Sequence, residues 1–415
     1  MSWPEVDFET IFAENSRNGV YKSKDHHGAG VPIVNMGELF AFNRIGSQPM
    51  SLIQMSDAEM HKNGLIDGDL LFGRRSLVEE GAGKCSIVYK STGPMTFESS
   101  IIRVRLDKTV ADPEFFFNYF RSPVGRSRIR AIVGGAAVKG IRSSDLKLIK
   151  VHLPPINEQI AIRRVVATYD DMITTNQRRI ALLEEAARRL YREWFVHLRF
   201  PGHEIVPVVD GVPEGWAVKG LSRVANINER SIGVRDRPDS ILYIDISSVT
   251  LGLIGNVKAY TFADAPGRAR RRVAHGDIIW SCVRPNRRSY ALIWEPEANL
   301  VASTGFAVIS AATVPFSFLY FATTTNEFVG YLEQNATGAA YPAVTAKIFE
   351  TAEILVPDSA ISTEFDVLVL PMLEQIETLK HQNQNLSQAR DFLLPKLMSG
   401  QLDVSGIVLP DDEAL

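Results

Sequence analysis

The sequence contains the same passage twice, half a chain apart. Residues 135–154 read GAAVKGIRSSDLKLIKVHLP and residues 338–357 read GAAYPAVTAKIFETAEILVP, and the two align without a gap at a separation of 203 residues. Both begin Gly-Ala-Ala, and both end in an apolar residue followed by proline. Solenoid repeats are about 20–50 residues long, so this period instead predicts a tandem duplication of one whole domain.

Further pairs of segments extend the duplication toward the start of each copy. The pairs are IDGDLLFGRRS (66–76) with AHGDIIWSCVRPNRRS (274–289), DPEFFFNYF (112–120) with VPFSFLYF (314–321), and VPIVNMGEL (31–39) with ILYIDISSV (241–249). Short β-rich segments broken by Gly, Pro and Asn dominate these regions, which predicts a strand-rich α+β domain in each copy. We place the two domains at 1–153 and 199–356.

A long helix follows each domain. Residues at alternating steps of four and three form an apolar seam in both, which predicts helices at 154–198 and 357–400 that pair as an antiparallel coiled coil. The central seam residues are Tyr169, Ile173, Asn176, Ile180 and Leu183 in the first helix and Ile376, Leu379, Asn383 and Leu386 in the second. Pro371 and Pro395 are expected to interrupt the second helix and to kink or fray it. The alternative is two independent amphipathic helices, each packed on its own domain.

Two asparagines interrupt these seams. Asn176 and Asn383 do not correspond in the repeat, but antiparallel pairing brings them within one turn of being opposite each other. Buried amides are costly unless paired, so two that meet can satisfy each other and penalise other registers. We predict that they face each other; the alternative is that each faces solvent or a partner protein.

Positive charge is concentrated in both domains although the net charge is −3. Residues 121–150 contain eight Lys or Arg and one acid, and residues 268–288 contain seven and one acid. Acids lie elsewhere, including the tail at 401–415. Because a polyanion footprint is local, an acidic chain can still bind nucleic acid. The alternative for either cluster is a solvated basic face.

The sequence also argues against several functional classes. Two cysteines are too few for a disulfide framework or a cysteine-rich zinc site. The absence of a signal peptide and of a long apolar run predicts a cytoplasmic protein that does not associate with a membrane. GAGKCS (81–86) is not a phosphate-binding loop, because Val78 stands where that motif needs its first glycine and Cys85 stands where it needs Ser or Thr after the lysine. The adjacent His26 and His27 lack the spacing of metal ligands. We therefore expect a binding protein without a catalytic or metal site.

The layout and several local phrases resemble the DNA-specificity subunit of type I restriction–modification enzymes. The phrases are YREWFVHLRFPG (191–202), PEGW (213–216), YIDISSV (243–249), VRPNRRSYAL (283–292), GAAYPAV (338–344) and LLPKLMSGQLDV (393–404). The resemblance covers essentially the whole chain. It departs in FGRRS of the first domain, which lacks the Val-Arg-Pro-Asn text of the second. Such divergence is expected if each domain reads a different half-site.

The resemblance implies a non-catalytic subunit that reads a bipartite site in double-stranded DNA, one half-site per target-recognition domain. It also implies two methyltransferase subunits and restriction/translocase subunits as partners. S-adenosylmethionine, ATP and Mg²⁺ would belong to those partners, and this chain would carry no cofactor. Antiparallel helices of about 35 residues span roughly 50 Å. Domains near opposite ends would then meet DNA one or more helical turns apart, a turn being roughly 34–36 Å.

Basic and amide side chains in loops are the candidate DNA contacts. Lys and Arg neutralise phosphates, whereas Arg and Asn can also bind guanine and adenine edges through two hydrogen bonds. The candidates are Lys22, Lys24, Arg74, Arg75, Lys139, Arg142 and Ser143 in the first domain and Arg230, Arg284, Asn286, Arg287, Arg288 and Tyr341 in the second. For each, the alternative is a surface residue without base contact.

Two other functions remain open at this point. One is a self-contained modification enzyme of unusual sequence, which would methylate DNA alone. The other is a coiled-coil protein-binding scaffold or regulator without restriction partners, which would show no salt-sensitive binding to a defined duplex.

Overall fold

The computed structural model describes residues 3–136, 138–233, 236 and 238–404. These residues form two compact units, Met1–Thr175 with Gln382–Leu415, and Asn176–His381. Each unit contains one strand-rich domain and one segment of each long helix. Most of the predicted acidic tail, from residue 405 onward, and Ala137 of the first Gly-Ala-Ala stretch lie outside the described residues. Within the described part, no helix is both long enough and apolar enough to cross a bilayer.

The first unit is built on short strands and short helices. Its strands are β1 (Glu5–Asp7), β2 (Phe12–Asn18), β3 (His27–Val34), β4 (Arg44–Ile45), β5 (Ser51–Ile53), β6 (Leu70–Gly73), β7 (Arg75–Ser76), β8 (Cys85–Val88), β9 (Thr96–Phe97), β10 (Ile101–Leu106), β11 (Lys139–Gly140) and β12 (Lys150–His152). Its short helices are α1 (Met36–Ala41), α2 (Asp57–Asn63), α3 (Pro113–Arg121), α4 (Pro123–Ala131) and α5 (Ser143–Lys147).

A five-stranded sheet of order β2-β10-β6-β8-β4 and a three-stranded sheet of order β5-β3-β9 form the framework of this unit. The short pairs β1-β12 and β7-β11 complete it. Strand residues are apolar on the buried face, and α3 packs its phenylalanines on them; the rings of Phe8, Phe72 and Phe120 meet edge to face at 4.8–6.2 Å between centroids. Asp112 caps α3 by accepting a hydrogen bond from the Phe115 amide at 2.8 Å, directly before Pro113.

The second unit repeats this plan. Its strands are β13 (Val208–Val209), β14 (Val212–Pro213), β15 (Ala217–Gly220), β16 (Ala225–Ile227), β17 (Ser240–Ile244), β18 (Val249–Thr250), β19 (Leu253–Ile254), β20 (Lys258–Thr261), β21 (Ala269–Arg272), β22 (Ile278–Ser281), β23 (Tyr290–Leu292), β24 (Leu300–Ser303), β25 (Phe306–Ala311) and β26 (Glu353–Val356). Its short helices are α7 (Phe316–Ala322), α8 (Asn326–Gln334) and α9 (Ala346–Thr351); in chain order the first long helix, α6, precedes them.

Strand order and direction match between the units. The order β16-β25-β22-β23 corresponds to β2-β10-β6-β8, and β15-β26 corresponds to β1-β12. The smaller sheet contains a parallel pair in each unit, β3 with β9 and β17 with β24. The predicted duplication of an α+β domain is therefore confirmed.

The long helices are α6 (Ile156–Tyr191), extended by a π-helical turn at Arg192–Val196, and α10 (Ser359–Met398). In the first unit the Asp170 carboxylate lies 2.6 Å from the Arg390 guanidinium, and Asn383 Nδ2 donates to the Ile173 carbonyl at 3.4 Å. Residue numbers thus rise along α6 as they fall along α10, which makes the pair antiparallel, as predicted.

The second unit contains the other half of this pairing. The Phe365 ring of α10 lies 6.0 Å from Tyr191 and 5.9 Å from Trp194 between centroids. Asn176, Ile376 and Leu379 are buried among the seam residues. Ile180 and Leu183 of this unit are half-buried. The seam residues of the first unit, Tyr169, Ile173, Asn383 and Leu386, are half-buried as well. The mutual opposition of Asn176 and Asn383 stays a prediction.

The prediction that prolines interrupt the second helix is wrong. α10 is continuous from Ser359 to Met398 and passes through Pro371 and Pro395. Each proline removes one helical hydrogen bond, but buried neighbours hold the helix on both sides. Leu373 belongs to the core of the second unit, and Leu394 and Leu397 belong to that of the first. Tertiary packing thus outweighs the local preference.

Candidate nucleic-acid interface

Each Gly-Ala-Ala stretch forms a tight hairpin. Gly134 and Gly140 exchange both backbone hydrogen bonds at 2.9 Å, and Thr337 and Ala343, 203 residues further on, do the same at 2.9 Å. The two hairpins therefore share one backbone design, and the repeated sequence encodes it.

Glycine is required at the second position of each hairpin. Gly135 and Gly338 both have φ of +102°, a left-handed conformation that residues with a Cβ rarely adopt. A Cβ on Gly135 would lie 2.2 Å from the carbonyl oxygen of Val138. This constraint explains why both stretches start with glycine.

The return strand of each hairpin pairs with the segment that follows a central strand. In the first domain Gly140 pairs with Arg75 and Lys139 with Ser76. In the second domain Ala343, the equivalent of Gly140, pairs with Val283. Val283 is therefore the structural equivalent of Arg75.

The matched segments IDGDLLFGRRS and AHGDIIWSCVRPNRRS both end in Arg-Arg-Ser, which predicts that Arg74 and Arg75 match the arginines of the second loop; this register shows that they do not. Arg74 and Arg75 do not lie at the place of the Arg284–Arg288 loop, because they belong to the preceding extended segment. The equivalent loop of the first domain begins after Ser76 and contains Leu77 and Val78.

A basic cleft of about 410 Å³ lies beside the first hairpin. Arg74, Arg75, Lys139 and Arg142 line it, together with one acid, Asp145. Arg75 and Arg142 are exposed and the other two cations are half-buried. Ser143, at the start of α5, is hydrogen-bonded to Ser16 through the two hydroxyl oxygens at 2.6 Å. The cations are placed to neutralise phosphates, whereas Ser143 ties α5 to β2.

The two lysines predicted near the N-terminus differ in availability. The Lys22 ammonium donates to the Gln54 carbonyl and to Glu59, both at 2.7 Å. Hydrogen bonding to Lys22 lowers the pKa of Glu59 to about 2, so the ion pair forms over the whole physiological range. Lys24 lies on a single 3₁₀ turn and is exposed. Of the two, Lys24 is free to approach a polyanion.

In the second domain, two arginines hold the loop between β22 and β23. Arg284 and Arg288 both have φ of +52° and flank a 3₁₀ turn at Pro285–Arg287. Arg284 stacks its guanidinium 4.6 Å from the centroid of the Tyr341 ring and donates to the Ala340 carbonyl at 3.3 Å. Arg288 donates to the Asn326 side-chain oxygen at 2.7 Å. The Arg284 side chain is thereby fixed to the hairpin, and the Arg288 side chain to α8.

The tip of this loop points outward. Asn286 and Arg287 are exposed, and neither side chain forms a hydrogen bond or ion pair within the described ranges. Tyr341, on the adjoining hairpin, is 69% exposed. Left-handed anchors at both ends limit the conformations of the loop, so Asn286 and Arg287 are presented at a defined place.

Arg230 lies in an internal ion pair. Its guanidinium contacts both carboxylate oxygens of Asp277, at 2.6 and 2.8 Å, and the Ser310 hydroxyl at 3.2 Å. Asp277 is buried and also accepts the Ala274 amide at 2.7 Å; burial raises its pKa. The charge of Arg230 is thus largely compensated, and its role in this structure is to anchor the turn before β22.

Comparison with known proteins is consistent along the chain. Residues 14–185 match the family model described as type I restriction modification DNA specificity domain. The specificity subunit of the MjaIX type I restriction enzyme of Methanocaldococcus jannaschii is 23% identical over 92% of this chain and 89% of its own length. That of the EcoKI enzyme of Escherichia coli is 32% identical over 39% of this chain and 35% of its own length. The chain is therefore similar to specificity subunits of type I restriction enzymes, and residues 14–185 match their DNA specificity domain.

A solved structure shows the same fold. The S subunit of a type I restriction–modification system from M. genitalium is 15% identical and superimposes with a TM-score of 0.55 over 99% of this chain and 97% of its own. The relatives that span most of the chain are named as specificity subunits of type I restriction enzymes.

Two groups of residues could not be identified as functional from the sequence. Asp69 and Asp277 each bind an arginine at the turn before a central strand, β6 or β22. The available signal was the Gly-Asp pair that both matched segments contain. Leu77, Val78 and Val138 are exposed apolar residues around the first loop. No sequence pattern distinguished them from core residues.

Proposed function

We propose that this chain is a specificity subunit that reads a bipartite target in duplex DNA, with one half-site contacted by each domain. The observation that carries the proposal is that the hairpin and its adjoining loop are present in both units. Each unit has its own Gly-Ala-Ala hairpin, with the same bridge and the same φ, joined to its own loop. Two copies of this hairpin and loop with different side chains suit two half-sites of different sequence.

The proposal also assigns partners to the long helices. α6 and α10 carry large apolar side chains that face away from the cores: Met172, Leu182, Val367, Leu368 and Phe392 are all at least 44% exposed. Exposed apolar residues on a helical surface suit protein binding. We place two methyltransferase subunits and the restriction/translocase subunits there, and S-adenosylmethionine, ATP and Mg²⁺ on those partners.

Replacing Arg287 by alanine is expected to relax recognition at one half-site only. The free guanidinium can bind a guanine edge, an interaction worth about 1–3 kcal/mol of discrimination, so preference at that position should fall roughly 5- to 150-fold. The measurement is binding of the chain, assembled with its methyltransferase subunits, to duplexes varied in one half-site at a time.

Lys347→Ala is the matched control. Lys347 lies on α9 in the same unit, is exposed, and pairs only with Glu350 at 3.3 Å among the described residues. It should weaken binding slightly and without regard to sequence. Equal relaxation of both half-sites by Arg287→Ala would contradict the assignment of one half-site to each domain.

A further inference from the structure

The loop that begins after Ser76 and the loop between β22 and β23 are called the reading loops. They present opposite chemistry at equivalent positions. Because Arg75 and Val283 hold the same place in the hairpin pairing, Leu77 and Val78 correspond to Pro285 and Asn286. Leu77 is 85% exposed and Val78 is 58% exposed. The first loop therefore offers alkyl groups where the second offers an amide and, next to it, a guanidinium.

A third apolar residue adjoins this tip. Val138 corresponds to Tyr341 of the second hairpin and is 48% exposed. The two-residue ladder ends at the pair of Lys139 with Ser76, and Val138 and Leu77 are the residues next to that pair in the chain. Single exposed apolar residues are ordinary on protein surfaces. Here, however, all three adjoin the β7-β11 pairing, at positions that correspond to Pro285, Asn286 and Tyr341 of the second domain.

Charge around this apolar tip favours a DNA groove as its surroundings. The cleft cations Arg74, Arg75, Lys139 and Arg142 flank the tip on the hairpin side. The next loop residue, Glu79, has its carboxylate 3.9 Å from Arg130. Cations beside the tip can bind the phosphates that border a groove, while the tip itself reaches the base edges. An alkyl side chain there has one specific target, the C5-methyl group of thymine.

We propose that the two domains read their half-sites by different chemistry. In the first, Leu77 and Val78 recognise a thymine methyl group by apolar contact; in the second, Asn286 and Arg287 recognise purine edges by hydrogen bonds. The inference rests on the proposed function, since it requires each domain to read its own half-site.

Base analogues test this directly. The chain, assembled with its methyltransferase subunits, is titrated with target duplexes in which uracil replaces each thymine in turn, a change that removes only the methyl group. At one or two positions of the first half-site, affinity should fall about fourfold, as for loss of one buried methyl group. Leu77→Ala should bind the thymine and uracil duplexes equally. Ile205→Ala, a change at another residue that is 87% exposed, should keep the thymine preference.

The reciprocal arm uses 7-deazaguanine, which lacks the N7 acceptor. In the second half-site it should weaken the wild-type chain and leave Arg287→Ala unaffected. Equal binding of thymine and uracil duplexes by the wild-type chain would overturn the inference, as would an undiminished thymine preference in Leu77→Ala or a first half-site of G·C pairs alone. Absence of sequence-specific binding to any duplex would instead refute the proposed function itself.

Discussion

Phe365→Ala is expected to lower the free energy of unfolding of the second unit by about 3–5 kcal/mol, the usual cost of removing a fully buried aromatic side chain. Phe365 is completely buried on α10. Its ring packs edge to face on Phe195 at 5.1 Å between centroids and lies 6.2 Å from Phe321 of α7. The Phe365 side chain therefore packs against residues of both long helices and of the domain. Its truncation would leave a cavity among all three.

Tryptophan fluorescence during denaturant unfolding reports this change, because four of the five tryptophans lie in the second unit. Val367→Ala is the control. Val367 lies on the same helix and in the same unit but is 65% exposed, so its loss should change the free energy of unfolding by less than about 1 kcal/mol. A loss for Phe365→Ala as small as that of the control would contradict the assignment of this helix to the core of the unit.

Asp69→Ala should destabilise the first unit by about 3–5 kcal/mol. Asp69 is fully buried, and its carboxylate accepts two hydrogen bonds from Arg105 at 2.7 Å. It also accepts the Ile66 amide at 2.9 Å. Without Asp69, Arg105 and the buried Arg103 would share the single carboxylate of Glu14. Removing one partner of a buried ion pair leaves uncompensated charge, which is why the expected loss is large.

Asp67→Ala tests whether the loss of stability comes from the buried ion pair of Asp69. Asp67 belongs to the same turn, but it is exposed, and among the described residues its side chain accepts only the Ser91 amide, at 3.0 Å. Hydrogen exchange of the strands in the first unit should be accelerated strongly by the Asp69 change and weakly by the Asp67 change. Comparable acceleration by both would mean that the turn, and not the ion pair, stabilises the sheet.

The sequence predicted features that depend on backbone pattern. The ungapped 203-residue offset predicted two equivalent domains, and the structure gives Gly135 and Gly338 the same φ. The alternating steps of four and three predicted the long antiparallel helices. Both signals are local and periodic, so they survive in a single sequence.

Features set by tertiary contacts could not be predicted in this way. Lys22, Arg230 and Arg288 look like free cations in the sequence, but Glu59, Asp277 and Asn326 bind them from distant segments. Pro371 and Pro395 look like helix breakers, but packing on two cores keeps α10 continuous. The sequence alone therefore does not show which basic side chains remain available to DNA. Their internal partners must be known first.

Sequencing the methylated bases of a host that carries this chain with its methyltransferase subunits tests the central claim most directly. Two domains with separate reading loops predict a modified motif of two short specified segments separated by a fixed number of unspecified base pairs. The Arg287→Ala chain should relax one of these segments and leave the other and the gap unchanged. A single contiguous motif, or a motif that does not depend on this chain, would contradict the account.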